Sequence, residues 1–432
     1  MAQGTNDDGR AEESAPRGEG GGIQTKEGGS LPPGSGLASQ VLRPPPQRGL
    51  PPPQRPRPVA ESPRSPIPDP RSPPAPLIIA ELGTSHGGDL AKAREMIAAA
   101  AESGAACAKF QIVYADEILH PNTGEVPLPG GPVRLHDAFR RLEAPPEFYA
   151  ALKEETESRG LMFLCTPFGA RSARVLRALR PSAAKIASPE LNHVELLREV
   201  ASWRVPVFLS SGVSRLGDIE DALDILNSAP ADADPPSHVL LHCVTAYPAP
   251  EEDYNLRVLA SLSAVFGVPV GVSDHSLDPE LVPALAAALG AAAIEKHFCL
   301  SRDDLGLDDP IALPPPDFAR MSRAALAAAA APDDALASLR SERGGAKIDA
   351  VLGTGAKKLA PSERANYERT NRSLHALREI LPGETITPGD FAALRTEKIL
   401  RPGLPPSWAE RIAGRTARKH IPAGEGIRFE DI

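Results

Sequence analysis

The sequence predicts a closed parallel α/β barrel, (β/α)8, followed by a small β-rich domain and preceded by a disordered tail. Three observations lead there. Between Leu77 and about Ala331, short β-rich apolar runs alternate with longer helical segments, and the alternation occurs eight times. Everything before Leu77 is rich in proline and lacks aromatic residues. Everything after Arg372 carries a turn motif twice.

The tail comes first in the chain. Of the 48 prolines in 432 residues, 18 fall within residues 1–76, in runs such as RPPPQRGLPPPQRPRP. Such a segment buries too little apolar surface to offset the entropy of ordering it, so residues 1–76 are expected as a disordered, partly polyproline tail. A Pro-rich ligand for a partner's aromatic groove is the alternative use. Cys107, Cys165, Cys243 and Cys299 lie in or beside apolar runs without any CxxC spacing. They are expected as small buried hydrophobes in a reducing compartment. No charged and apolar leader opens the chain, no uninterrupted apolar stretch approaches about 18 residues, and the net charge is −9. These features predict a cytoplasmic protein with no membrane and no nucleic acid among its partners.

The barrel domain is expected over residues 77–331. Its strands are read at LIIAELG (77–83), ACAKFQIV (106–113), LMFLCTPF (161–168), AAKIAS (183–188), VPVFLSSG (205–212), HVLLHCV (238–244), VPVGVSD (268–274) and AAIEKHF (292–298). Helices such as DLAKAREMIAAAAESG (89–104) and DIEDALDILNS (218–228) show apolar residues at three- and four-residue spacing. An open doubly wound sheet has the same local alternation. The count of eight favours the barrel.

Polar residues gather where a parallel barrel puts its chemistry, at the C-terminal ends of the strands. Those ends carry Glu81, Lys109 and Gln111, Thr166, Lys185 and Ser188, Ser210 and Ser211, and His242 with Tyr247 just beyond. The last two strands add Asp274 and His275, then Glu295 and His297. Lys109 and Lys185 with Thr166, Ser188 and Ser210 make a cationic, hydroxyl-rich cradle suited to a small substrate bearing phosphate and carboxylate. Singly, each reads as a surface charge or a cap; five at strand ends do not. His275 and His297 on adjacent strands form a candidate divalent-metal pair. Imidazole nitrogen with open water positions suits Mn²⁺, Fe²⁺, Co²⁺ or Zn²⁺ better than Ca²⁺.

The ordered motifs AELGTSHGGDLAKA, AKFQ, CTPFG, AKIASPELNH, SSGVS, LLHCVTAYPAPEEDYNL, GVSDHS and EKHFCLSRDDLGLDD carry a family likeness. The chain from Leu77 onward resembles the N-acetylneuraminate (sialic acid) synthases, a family that includes pseudaminic and legionaminic acid synthases and spore-coat polysaccharide synthases. The resemblance implies condensation of phosphoenolpyruvate with an N-acetylated amino sugar. It implies His275 and His297 as metal ligands, with Mn²⁺ the expected ion and Mg²⁺ or Co²⁺ the alternatives. Lys109, Thr166, Lys185, Ser188, Ser210 and Ser273 match residues that hold phosphoenolpyruvate. Glu81 matches the acid/base carboxylate, and Gln111, Tyr247, Glu295 and Asp308 match other active-site positions; Glu190, beside Ser188, is also expected to bind substrate. In this reading Glu81, Lys109, Lys185 and Tyr247 are catalytic. No nucleotide or redox motif such as Walker A or GxGxxG stands in a strand-to-helix context.

Departures from the family pattern fall on the sugar side. Ser85 stands where an asparagine usually precedes His86, Gly131 follows Pro129 and Gly130, and Cys299 to Arg302 replaces a T-L-D-R run. They leave the sugar open: N-acetylmannosamine or a 2,4-diacetamido-trideoxyhexose.

Residues 332–371 are read as a polar linker and 372–432 as a separate domain. There Gly383, Glu384, Ile386 and Asp390 recur with the spacing of Gly424, Glu425, Ile427 and Asp431. This portion resembles the SAF (antifreeze-like, β-clip) domain that closes the family's chains. The resemblance implies a domain-swapped homodimer in which Arg401 of an R-P-G motif reaches the partner's sugar site. A turn arginine before Pro402 is the other reading. The competing functions are a different phosphoenolpyruvate-dependent 3-deoxy-sugar acid synthase and a non-catalytic sugar-binding module in polysaccharide assembly. The second should have lost the lysines or histidines, and the chain keeps them.

Overall fold

A computed structural model describes residues 75–128, 131–228, 236–304, 306–397 and 399–432; the expected tail therefore lies outside the described residues except for Ala75 and Pro76. Its strands are β1 Leu77–Gly83, β2 Cys107–Ile112, β3 Glu125–Leu128, β4 Gly131–Arg134, β5 Met162–Pro167 and β6 Ala184–Ile186. They continue as β7 Val207–Ser210, β8 Val239–Cys243, β9 Val270–Asp274, β10 Ala293–His297, β11 Ser373–Ala376 and β12 Phe391–Leu394. Eight of them form one sheet in the order β5-β2-β1-β10-β9-β8-β7-β6, with its hydrogen-bonded neighbours running parallel. The two ends of that order, β5 and β6, lie side by side, so the sheet curls into the expected, nearly closed barrel.

Strand alternation sorts the barrel into layers. Ile79, Cys107, Leu164, Ala183, Phe208 and Ala293 form a buried apolar floor inside it. Two residues further along the same strands stand Glu81, Lys109, Thr166, Lys185, Ser210 and Glu295, on the same face by the two-residue period. The alternate residues, among them Ile78, Ala80, Phe110, Ile186 and Leu209, belong to the larger core against the helices. Gly271 on β9 permits a close strand approach: a Cβ there would stand 2.3 Å from the Ala293 carbonyl oxygen.

Two parts differ from expectation. The long connection after β2 holds an antiparallel hairpin, β3–β4. Residues 332–371, read as a linker, begin with two helices, Pro332–Arg343 and Gly345–Leu352. The first buries none of its residues, which is why its composition reads as linker; the second buries Ile348, Val351 and Leu352. From Gly353 the chain runs as a strap pinned to the barrel. Asn255 Nδ2 donates to the Ala356 carbonyl, and Lys357 Nζ donates to the Ser211 carbonyl at 2.8 Å.

The C-terminal domain has its own core of Leu374, Ile380, Ile386, Phe391, Leu404, Ile412, Ile421 and Ile427. The repeated motif is two copies of one turn. Gly383 and Gly424 have φ of 92° and 91°, the left-handed region that favours glycine. Asp390 accepts from the Thr387 N–H at 2.7 Å, and Asp431 accepts from the Arg428 N–H at 2.9 Å. Within the single chain this domain rests on the rim of its own barrel, for example through Asn122 Nδ2 donating to the Ala423 carbonyl.

Candidate active site

The polar upper layer of the barrel is a ring of largely buried side chains. Register sets Glu81 beside Lys109, Gln111 beside Thr166, and Ser273 beside Glu295. Lys109 Nζ lies 2.8 Å from Glu81 and 3.6 Å from Glu295. Gln111 Nε2 donates to Glu81 at 2.6 Å, and Ser273 Oγ donates to Glu295 at 3.0 Å. Across the barrel, Lys185 Nζ donates to Ser210 Oγ at 2.7 Å. Ser188 Oγ accepts from the Gly212 N–H at 3.0 Å. Gly212 has to be small, because a Cβ would stand 2.1 Å from Thr245 Oγ1 and 2.9 Å from Ser188 Oγ.

Burial and pairing set the charges. Burial alone would lower the Lys109 pKa, but Glu295 and Glu81 outweigh it and hold the ammonium above its ordinary range. Burial pushes Glu295 up, yet Lys109 and Lys185 with the Ser273 hydroxyl bring its carboxyl to about 2. Lys185 is lowered, first by burial, with Glu295 opposing and Lys109 adding to the fall. Thr166 Oγ1 and Glu295 Oε2 are buried without a hydrogen-bond partner, as expected of groups facing a ligand's place.

His275 and His297 come together as expected, ring centroids 5.5 Å apart. Tyr247 stacks on His275 at 4.3 Å and meets His297 edge-on at 6.1 Å. His275 Nδ1 lies 2.8 Å from the Val244 carbonyl, the contact that fixes a tautomer and leaves Nε2 for another ligand. Asp308 lies 3.9 Å from His297 Nδ1. Among the described residues no group of three or more His, Cys, Asp or Glu is assembled to hold a metal ion. If an ion binds here, the paired imidazoles of His275 and His297 are the residue type that would hold it, leaving the other positions to water or substrate.

Not every expected residue joins the ring. His242, Ser211 and Asp274 face outward: His242 Nε2 lies 2.6 Å from the Tyr254 carbonyl, Ser211 Oγ donates to the Leu241 carbonyl, and Asp274 pairs with Lys296. Strand alternation separates them from Ser210, Ser273 and Glu295. Glu190 is fully buried at the rim, where Arg372 and Arg395 reach it at 2.9 and 2.6 Å. Arg372 also donates to the carbonyls of Glu117, Phe168 and Ala393, and the Arg395 guanidinium lies 5.5 Å from the Phe168 ring centroid. Arg401 points elsewhere. It donates to Asp431 at 2.7 Å and to the Gly426 carbonyl at 2.8 Å, within its own domain.

Sequence reasoning missed Lys357, Glu363 and Arg395. Glu363 is buried and accepts from the Val213 and Thr245 N–H groups at 3.0 Å each, tying the strap to the loops after β7 and β8. Lys357 and Glu363 sit in a stretch that reads as linker. The one local signal is the PSE turn at 361–363, where Glu363 caps its own 3-10 helix by accepting from the Ala360 N–H.

A nearly closed parallel barrel whose C-terminal rim presents two lysines, two glutamates, hydroxyls and paired histidines has the arrangement of an α/β-barrel enzyme site. The chain belongs to the NeuB family, whose model matches residues 96–335, and carries a SAF domain at residues 371–432. It is 32% identical to the N,N'-diacetyllegionaminic acid synthase of Legionella pneumophila, covering 82% of this chain and 94% of that protein. It is 33% identical to the spore coat polysaccharide biosynthesis protein SpsE of Bacillus subtilis, covering 82% of this chain and 93% of that protein. The crystal structure of the same Bacillus protein superposes with a TM-score of 0.67 at 32% identity, over 83% of this chain and 95% of that one.

Proposed function

We propose that the protein is a nonulosonic acid synthase: it condenses phosphoenolpyruvate with the open-chain form of an N-acetylated amino sugar and water, and releases phosphate. The observation that carries the reading is the buried ring in which Lys109 lies between Glu81 and Glu295 while Lys185 meets Ser210 across the barrel. Lys109 and Lys185 supply the two positive charges that a phosphate and a carboxylate on one small molecule demand. Ser188, Ser210, Ser273 and Thr166 supply neutral donors around them. His275 and His297 would hold a divalent ion, which when bound supplies Lewis-acid polarisation of the sugar's aldehyde oxygen. The methylene carbon of phosphoenolpyruvate bonds to that aldehyde carbon, and positive charge develops at the carbon bearing the phosphate ester. Glu81, held by Lys109 and Gln111, takes a proton from the water that adds there. The aldehyde oxygen takes up that proton and becomes a hydroxyl, and the ester carbon–oxygen bond of the tetrahedral adduct then breaks as its own hydroxyl gives its proton to the departing phosphate, leaving a 2-keto acid and inorganic phosphate. Tyr247, stacked on His275 at the mouth, limits water access and orients the sugar chain.

The relatives' names favour an acceptor of the acetamido-hexose class, either N-acetylmannosamine or a 2,4-diacetamido-trideoxyhexose. Phosphate release with Mn²⁺, phosphoenolpyruvate and each sugar in turn tests the reading. Release with one of these sugars supports it. Release only with a simple aldose phosphate would make the protein a different 3-deoxy-sugar acid synthase. Sugar binding without phosphate release from any acceptor would make it a binding module.

A further inference from the structure

Outside the ring, the barrel wall holds an ion pair sealed from water. Lys296 Nζ lies 2.6 Å from Asp274 Oδ2, and both side chains are fully buried. The pair lies between β9 and β10, where Lys296 and Asp274 are register partners. The same ammonium donates to the Ser276 carbonyl at 2.6 Å and to Ser276 Oγ at 3.3 Å. Asp274 Oδ1 in turn accepts from the Ser276 N–H at 2.8 Å. Both chain neighbours of His275 are thus held by one ammonium, and that ammonium belongs to the residue directly before His297. The backbone N–H of His275 donates to Tyr254 Oη at 2.6 Å, which fixes the turn from a third side.

A fully buried ion pair is a poor source of stability, because desolvating two charges costs much of what their attraction returns, and apolar replacements of similar volume are often at least as stable. What such a pair does supply is geometry. From these contacts we infer that Lys296 and Asp274 are positioning residues for a divalent ion, fixing the separation and aim of His275 and His297 at the mouth of the barrel. The inference rests on the metal-dependent reading of the site. His275 and His297 would be the imidazole ligands, so the separation of their rings, 5.5 Å between centroids, is what the pair would fix. The ends of β9 and β10 are also joined by the strand ladder, in which Lys296 and Asp274 are themselves register partners.

The test is Mn²⁺ affinity of the full-length protein, by titration calorimetry, alongside phosphoenolpyruvate affinity without metal and the melting temperature. The double variant Lys296→Met with Asp274→Asn removes both charges and leaves no lone ion buried. It is expected to fold, to bind Mn²⁺ at least tenfold more weakly, and to hold phosphoenolpyruvate within twofold of the parent, as outer-shell partners of metal ligands do. Lys296→Arg keeps the charge but cannot reproduce three short contacts from one nitrogen, and should also lose about tenfold in Mn²⁺ affinity. A folded double variant, or failing that a folded Lys296→Arg, with Mn²⁺ affinity within twofold of the parent overturns the inference. So does an equal loss of both affinities, or failure of both variants to fold, since the pair would then serve the fold at large. A parent chain that does not bind Mn²⁺ sinks the metal reading itself, a distinguishable result.

Discussion

Glu81 and Gly212 show how single atoms set the chemistry of this mouth. Glu81 is held by Lys109 on one oxygen and by Gln111 on the other, so its orientation is fixed before any substrate arrives. Glu81→Gln keeps the size and most contacts but cannot take a proton. Phosphate release should fall by about a hundredfold or more, while phosphoenolpyruvate affinity stays within a few-fold. An equal loss of affinity would recast Glu81 as a binding group. Gly212 lies on the opposite side, with Thr245 and Ser188 hydroxyls where a Cβ would be. Gly212→Ala must displace them, so KM for phosphoenolpyruvate should rise about tenfold with a smaller change in kcat. A KM within twofold of the parent would show that these hydroxyls do not meet the substrate.

Between elements, the junction of barrel and C-terminal domain is an ionic clamp. Glu190, just beyond β6, faces Arg372 and Arg395, which flank β11 and β12, and all three are largely buried. Glu190→Leu would leave two guanidinium groups without their carboxylate, costing about 3–5 kcal/mol, the range for breaking a buried pair. Urea unfolding measures it, and a loss below about 1 kcal/mol would mean that water reaches the clamp. The strands were legible because each β-branched or apolar run stops at a polar residue that the barrel must put at its rim. The ring was legible for the same reason, and two-residue alternation separates Ser210 from Ser211 and Ser273 from Asp274. The hairpin β3–β4 was hidden by its brevity and by Pro127, Pro132 and Gly131 within it. The helix Pro332–Arg343 buries no residue, so no apolar stripe announces it. The clamp was out of reach altogether: an arginine before an apolar strand looks like any surface charge until the fold brings it 182 residues back to Glu190.

Over the whole molecule, acid should unfold this protein early. Burial keeps five histidines neutral: His86, His238 and His375 have pKa values of about 4, and His193 and His242 of about 3. Each is depressed in the folded state, so the unfolded chain binds the extra protons. Stability is therefore full above the ordinary value of 6.5 and is lost as pH falls toward 4 and below, by roughly 1.4 kcal/mol per unit for each histidine. Stability flat between pH 6.5 and 4.5 would contradict this. The last prediction concerns assembly, where we propose the exchanged homodimer that the family likeness implies. Exchange between identical chains recreates in trans the interface a chain makes with itself, so Glu190 would meet Arg372 and Arg395 of the partner's domain in the same seat. The hinge must lie outside that interface. Gly344 and Gly353, which bound the helix Gly345–Leu352, have φ of 86° and 59° and provide it without strain. Arg401 is tied to Asp431, so Arg395 is the arginine to mark. Lys185→Ala and Arg395→Ala proteins, each expected to be nearly inactive, are mixed and allowed to exchange subunits. In an exchanged dimer the intact barrel of one chain receives the intact domain of the other, so one site in two regains both residues and phosphate release returns. No recovery from verified mixed dimers would place each domain on its own barrel, as it sits in the single chain.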